Sequence, residues 1–193
     1  MSASPRIERR RASRSDRILQ VASRNFAERG LDARLDDIAD EADVARATLY
    51  AHFPTKEALI AAVVQSAVDA AARRASAIRE VDPRQAVRAL LRLQLDLWNE
   101  YPNAMRVGHQ LRMKPAGEAA HTHDATLRTI LGIFERAQNV GILRCGDAAI
   151  AARLHTRIAI PLLEALAGHP DRDCIFLSSL EGMLLRRASP PHG

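Results

Sequence analysis

The chain is poor in the residues that staple small folds or punctuate sheets. Its 193 residues include two cysteines, Cys145 and Cys174. Two thiols make no disulfide framework, and their separation lacks the ligand spacing of a zinc site. Aromatic residues make up only 4%, with nine glycines and nine prolines, too little turn chemistry for a loop-rich all-β protein. No run of about 18 apolar residues occurs, and no apolar core follows the N-terminal charges, so neither a membrane span nor a signal peptide is expected. The sequence has no phosphate-cradling glycine loop, no strained nucleophile turn and no zinc-protease helix, which argues against an enzyme. His121 and His123 stand two apart and would face nearly opposite sides of a helix. No metal site and no cofactor are therefore expected.

What is present reads as a helical, globular chain. Hydrophobic residues make up 47% and charged residues 26%, and the alanine- and leucine-rich remainder favours helix. The length suits one large domain or two small ones. A net charge of +5 with a pI near 10 fits a polyanionic partner, and its excess is local. Arg6, Arg9, Arg10, Arg11, Arg14 and Arg17 face only Glu8 and Asp16. Residues 1–12 read as a disordered basic arm, with a solvated tail as the alternative. The expected location is the reducing cytoplasm.

Periodicity places the helices. The first spans 13–29, with Ile18, Ala22 and Phe26 on one face and Gly30 at its end. Short helices follow at 35–42 and 45–52, joined by a turn at Asp43–Val44. Phe53–Pro54 ends the third, and Thr55 caps a long fourth helix running to about Glu80. Asp82–Pro83 opens a helix to residue 100, apolar on more than one face. Further helices are expected to about Lys114, over 118–139, from Gly146–Asp147 to about Ala167, and over 172–188. The class is all-α. Residues 13–54 form a three-helix head, joined by the long helix to a helical domain over 55–193.

The window from Ile38 to His52 has the arithmetic of a helix-turn-helix. Ala39 sits where two helices cross closely, and Asp43 lies in a turn that often needs positive φ. Val44 and Leu49 close the small core. The third helix then presents Arg46, Ala47, Thr48, Tyr50 and His52 to a DNA groove. Arg46 can fork onto guanine O6 and N7, and the methyls of Ala47 and Thr48 can touch a thymine methyl. Tyr50, His52 and Lys56 are placed for phosphate oxygens, as are the amides opening the fourth helix.

The run RILQVASRNFAERGLDARLDDIADEADVARATLYAHFPTKEALIAAV, from Arg17 to Val63, resembles the DNA-binding head of the tetracycline-repressor (TetR) family. The DIADEADV and TLYAHFPTKEAL stretches carry the likeness. It departs from the family pattern at three places. Asp43 stands where glycine is usual, at a cost of several tenths of a kcal/mol by the glycine argument. Ala45 replaces a serine or threonine cap, and Arg34 stands near a phosphate-binding threonine that this shorter loop lacks. Asp32, Asp36, Asp37, Asp40, Glu41 and Asp43 make the second helix and its flanks acidic. That face is expected to turn from phosphate, leaving Arg9, Arg10 and Arg11 a larger share of binding.

The resemblance implies a homodimeric repressor on a palindromic operator, released by a small molecule held in the C-terminal domain. On that basis Ile158, Leu162, Leu177, Leu180 and Leu184 are the dimer candidates. Trp98, Met105, His109, Arg112, Met113, Phe134 and His155 are the ligand candidates, with Arg157 a further option for an anionic group. Each has a plainer reading: Trp98 and Phe134 as ordinary core, His109 as a satisfied histidine. With four aromatics after residue 55, a pocket would be mainly aliphatic and suit an apolar or mixed effector. The alternative is a regulator whose C-terminal domain is a protein-interaction module with no small-molecule site.

Overall fold

The computed structural model describes residues 5–110 and 118–187, and side chains from Ser13 onward except Leu31 and residues 118–120. Among them are nine α-helices and one short 3-10 turn: α1 Pro5–Arg29, the turn Gly30–Asp32, α2 Leu35–Glu41, α3 Arg46–His52, α4 Lys56–Ala75, α5 Pro83–Glu100, α6 Pro102–Gln110, α7 Glu118–Asn139, α8 Ala148–Ala165 and α9 Arg172–Leu184. No described helix is long and apolar enough to cross a membrane. The chain divides into two compact units. One takes the chain up to Ala67 and the segment from Pro102, and the other takes Val68–Tyr101 and the chain from α7 onward.

Most helix ends follow sequence chemistry. Asp82 accepts from the backbone N–H of Arg84 and Gln85 at the start of α5, and Pro83 occupies the first turn, where its missing N–H costs nothing. Asp147 accepts from Ile150 N–H to open α8, which continues through Pro161. Thr55 Oγ1 accepts from Ala58 N–H, 3.1 Å, at the start of α4. Gly141, at φ 71°, ends α7 in a paired arrangement: Gly141 N–H reaches Gln138 O and Ile142 N–H reaches Ala137 O, the two bonds of a Schellman stop.

Three boundaries differ from the sequence reading. α1 begins at Pro5, so residues 5–12, expected as a disordered arm, continue the first helix. No breaker interrupts the chain after Pro5, and arginine and alanine favour helix. α4 ends at Ala75 rather than near Glu80, because tighter bonds replace its ladder. Ala77 N–H reaches Arg74 O, Ile78 N–H reaches Ala75 O, and the Ser76 hydroxyl donates to Arg73 O. α9 ends at Leu184 rather than 188. There the chain turns extended, and Arg144 N–H to Leu184 O and Arg186 N–H to Ile142 O form one isolated bridge across Leu143 and Leu185.

Each unit has its own apolar interior. In the first, α1 packs on α2 and α6, burying Ile18, Ala22, Phe26, Ile38, Leu49 and Val107. Gly108 brings α6 close to α4, where a Cβ would stand 3.4 Å from Val64. In the second, α5, α7, α8 and α9 pack mutually around Leu91, Ile133, Phe134, Leu163, Phe176 and Leu180.

A charged clamp fixes α9 on α5. Arg88 donates from Nε and Nη2 to the two oxygens of Glu181, at 2.6–3.0 Å. Arg84 stands 3.9 Å from the same carboxylate and donates to Arg186 O at 2.8 Å. The Arg88 hydrogen bonds hold the Glu181 carboxyl below its usual range. Both side chains are partly exposed, so solvent screens part of the gain. Glu181→Gln keeps the shape and removes the charge. It is expected to lower unfolding stability by about 1 kcal/mol, read as a fall in urea midpoint at unchanged slope.

Candidate nucleic-acid interface

The head is built around the end of α2. Ala42 caps the helix, and Asp43 follows with φ 54°. Val44 N–H reaches back to Ala39 O at 3.0 Å and Asp43 N–H to Asp40 O at 3.1 Å. This is the same Schellman stop that Gly141 makes after α7, with aspartate in the left-handed position. Ala39, almost fully buried, keeps the close crossing, and Leu49 fills the space beneath α3. Ala45 opens α3 with extended backbone and no side-chain cap.

That packing leaves the outer face of α3 open. Arg46, Ala47 and Tyr50 are exposed, and Thr48 and His52 are half-buried. The His52 ring sits 6.1 Å from that of Phe53. Lys56 is half-buried in the first turn of α4, and Arg34 is exposed at the cap position of α2 without a capping side-chain bond. The structure therefore brings Arg46, Ala47, Thr48, Tyr50, His52, Lys56 and Arg34 together in one unit. Arg9, Arg10 and Arg11 lie in α1, and their side chains are outside the described residues.

Most of the acidity of α2 is answered within the head. Arg24 pairs with Glu41, Arg29 with Asp37 at 3.3 Å, and Arg17 with Asp43 at 3.9 Å. Arg46 pairs with Asp36 at 3.1 Å. Asn25, a residue passed over in the sequence, is buried and donates from Nδ2 to Glu41 Oε2 at 2.6 Å and to Val21 O at 3.1 Å. The Asn25 hydrogen bond, then that of Arg24, keeps the Glu41 carboxyl below its usual range. Local pairing with arginine thus neutralises Asp36, Asp37, Glu41 and Asp43 within the head. The i, i+1 run of Arg24 and Asn25 opposite Glu41 gave no periodic signal that would have found it.

The ligand candidates fall in both units. Trp98, Phe134 and His155 are buried in the second unit, while Met105 and His109 are half-buried on α6 in the first. Arg112 and Met113 lie outside the described residues. Arg157 is exposed. His155 is the unusual member. It is 1% exposed, its ring tilts against Phe134 with centroids 6.1 Å apart, and neither ring nitrogen meets a hydrogen-bond partner among the described residues. Burial lowers its pKa to about 4, because the low-dielectric interior penalises the charged ring.

The dimer candidates need one correction. Leu180 and Leu184 are each 1% exposed, so they fill the chain's own core and offer no surface to a second copy. Leu177, Leu180 and Leu184 form one stripe of α9, and periodicity alone did not say whether that stripe meets the chain's own core or a second copy. Ile158, Leu162 and Leu177 are half-buried and keep surface to offer. Among the described residues no group of three or more histidine, cysteine or acidic side chains could hold a metal ion.

Residues 18–63 match the model of the bacterial regulatory proteins of the tetR family. The chain is 36% identical over 92 residues to the transcriptional regulator RutR of Escherichia coli (strain K12), covering 47% of this chain and 43% of RutR. It is 44% identical over 59 residues to the transcriptional repressor KstR2 of Mycolicibacterium smegmatis, covering 30% of this chain and 29% of KstR2. The chain thus spans less than half the length of the curated relatives it matches. Over most of its length it shares a fold with AibR, solved in complex with isovaleryl coenzyme A and operator DNA. That likeness has a TM-score of 0.72 at 20% identity, over 88% of this chain and 97% of AibR.

The buried histidine makes stability pH-dependent in a defined window. An unfolded chain binds a proton at His155 near pH 6.5, and the folded chain only near pH 4. Stability is therefore whole above pH 6.5 and falls as pH drops toward 4, by up to about 3 kcal/mol. His155→Leu is expected to flatten urea midpoints between pH 7 and 5 by up to one proton's slope. An unchanged slope would show that the ring reaches solvent.

Proposed function

We propose that this chain belongs to the tetR family of bacterial regulatory proteins and is a DNA-binding transcriptional repressor. The observation that carries the reading is the α2–α3 corner. Its stop at Asp43 and its Ala39 crossing leave Arg46, Ala47 and Tyr50 exposed on the outer side of α3, with Thr48 half-buried at its edge. A helix with that face enters the major groove. There Arg46 reads guanine and the small methyl-bearing residues read thymine. Tyr50, His52, Lys56 and Arg34 grip phosphates and set the register, and the arginines of α1 add a sequence-independent pull.

The chain acts as a homodimer, since two such heads on a two-fold axis match a palindromic operator. Ile158, Leu162 and Leu177 are the available apolar surface for that contact. The repressor is released by an apolar or mixed small molecule bound in the C-terminal domain. AibR, the relative in fold whose structure holds isovaleryl coenzyme A, supports an acyl thioester as the first class to try. His155, neutral beside Phe134 and without a hydrogen-bond partner among the described residues, is the polar contact that such an effector would meet. An effector shifts the equilibrium only by binding the released state more tightly than the DNA-bound one.

The test begins with selection from randomised duplexes at moderate salt, which should enrich a palindrome. Enrichment of no sequence would contradict the reading. Arg46→Ala is then expected to cost about 1–3 kcal/mol on the selected duplex and little on random DNA. Equal loss on both would remove Arg46 from base readout. Deleting residues 1–12 should weaken binding to both duplexes and flatten its salt dependence, and an unchanged salt slope would make those arginines bystanders.

A further inference from the structure

We propose that Asp36 is a positioning residue for base recognition, holding the Arg46 guanidinium so that its free edge meets a guanine. The inference rests on the DNA-binding reading above and names the device that gives it specificity. Arg46 opens α3 with a side chain 60% exposed, and its Nη1 lies 3.1 Å from Asp36 Oδ2. Asp36 stands in the first turn of α2 and is only 29% exposed. Two and three residues on, Ile38 and Ala39 are buried against the head's interior, so the carboxylate sits on an anchored stretch of backbone.

The chemistry of the pair separates base reading from generic attraction. A guanidinium has five N–H donors in a rigid fork. Engaging Nη1 with Asp36 leaves donors on Nη2 and Nε for guanine O6 and N7. The long arginine side chain then docks with less rotamer freedom to lose. The pair is also neutral overall, so Arg46 draws little on phosphate charge. Its gain comes when a base offers two acceptors at the right spacing.

A carboxylate this close to DNA weakens affinity for every sequence, which is the sign of a residue serving discrimination. A role limited to the α2 helix dipole would not require contact with α3. Asp37, in the same turn, makes its pair with Arg29 of α1 instead.

The experiment compares the full-length chain with Asp36→Asn, Arg46→Ala and the double variant. Binding is read on the wild-type-selected duplex, on its single-base-pair substitutions and on random duplex. Asp36→Asn is expected to bind random duplex as well as wild type or better. It should lose about tenfold of the preference at one base pair, the same pair that Arg46→Ala relaxes, with no further loss in the double variant. Asp36→Glu should recover part of that preference. Tighter binding of Asp36→Asn to selected and random duplexes by one common factor, with base preference intact, would overturn the proposal and make Asp36 a competitor for Arg46. A loss at a different base pair, or further loss in the double variant, would equally overturn it. If Asp36→Asn melts early, Asp36→Ser is read in the same way. A wild-type chain that selects no sequence would instead strike the DNA-binding reading beneath the proposal.

Discussion

The angle between α2 and α3 rests on the backbone of Asp43, which holds φ at 54°, a conformation that L-residues other than asparagine and aspartate rarely adopt. Two hydrogen bonds, from Val44 to Ala39 and from Asp43 to Asp40, close the end of α2 and aim the chain into α3. If residue 43 reverted to helical φ, α2 would run on, Leu49 would leave its buried position, and Arg46 would not stand on an open face. Every contact that α3 is assigned with DNA depends on that one turn. The strain is modest, several tenths of a kcal/mol, and the apolar packing of Ala39 and Leu49 offsets it.

Around the turn, electrostatics is solved locally rather than by segregation. Asp36, Asp37, Glu41 and Asp43 meet arginines from α1 and α3, so four carboxylates of α2 and its turn come to a polyanion already paired. Most of these pairs are exposed, and each contributes little to stability. Their value lies in orientation. Glu41, held by the buried Asn25 as well as Arg24, ties α2 to α1, while Asp36 ties the first residue of α3 to α2.

Much of this was legible in the chain because it is local. The left-handed turn followed from Asp43 between two short periodic segments. Asp82, Thr55 and Asp147 announced helix starts, and Gly30 a helix end, since caps act within three or four residues. Contacts across long separations were not legible. Arg88 and Glu181 are 93 residues apart, and nothing in either segment singles out the other. The burial of His155 was hidden for the same reason. It depends on which face of α8 turns inward, and α8 is apolar on more than one side. Leu180 and Leu184 share one leucine stripe with Leu177, which suits an intermolecular seam as well as a core, and packing puts those two in the core. The extension of α1 back to Pro5 was obscured by charge density, which reads as disorder when no partner is in view.

The most direct test of the account is a guanine-methylation interference footprint of the intact chain on a duplex selected by it. The account predicts that N7 methylation blocks binding at guanines in two half-sites whose centres lie about 34 Å apart, one turn of the helix or a multiple of it. Arg46→Ala should abolish interference at one guanine in each half-site while the rest persist. Binding indifferent to N7 methylation throughout would contradict it, since an arginine forked on guanine cannot tolerate a methyl group on the atom it reads.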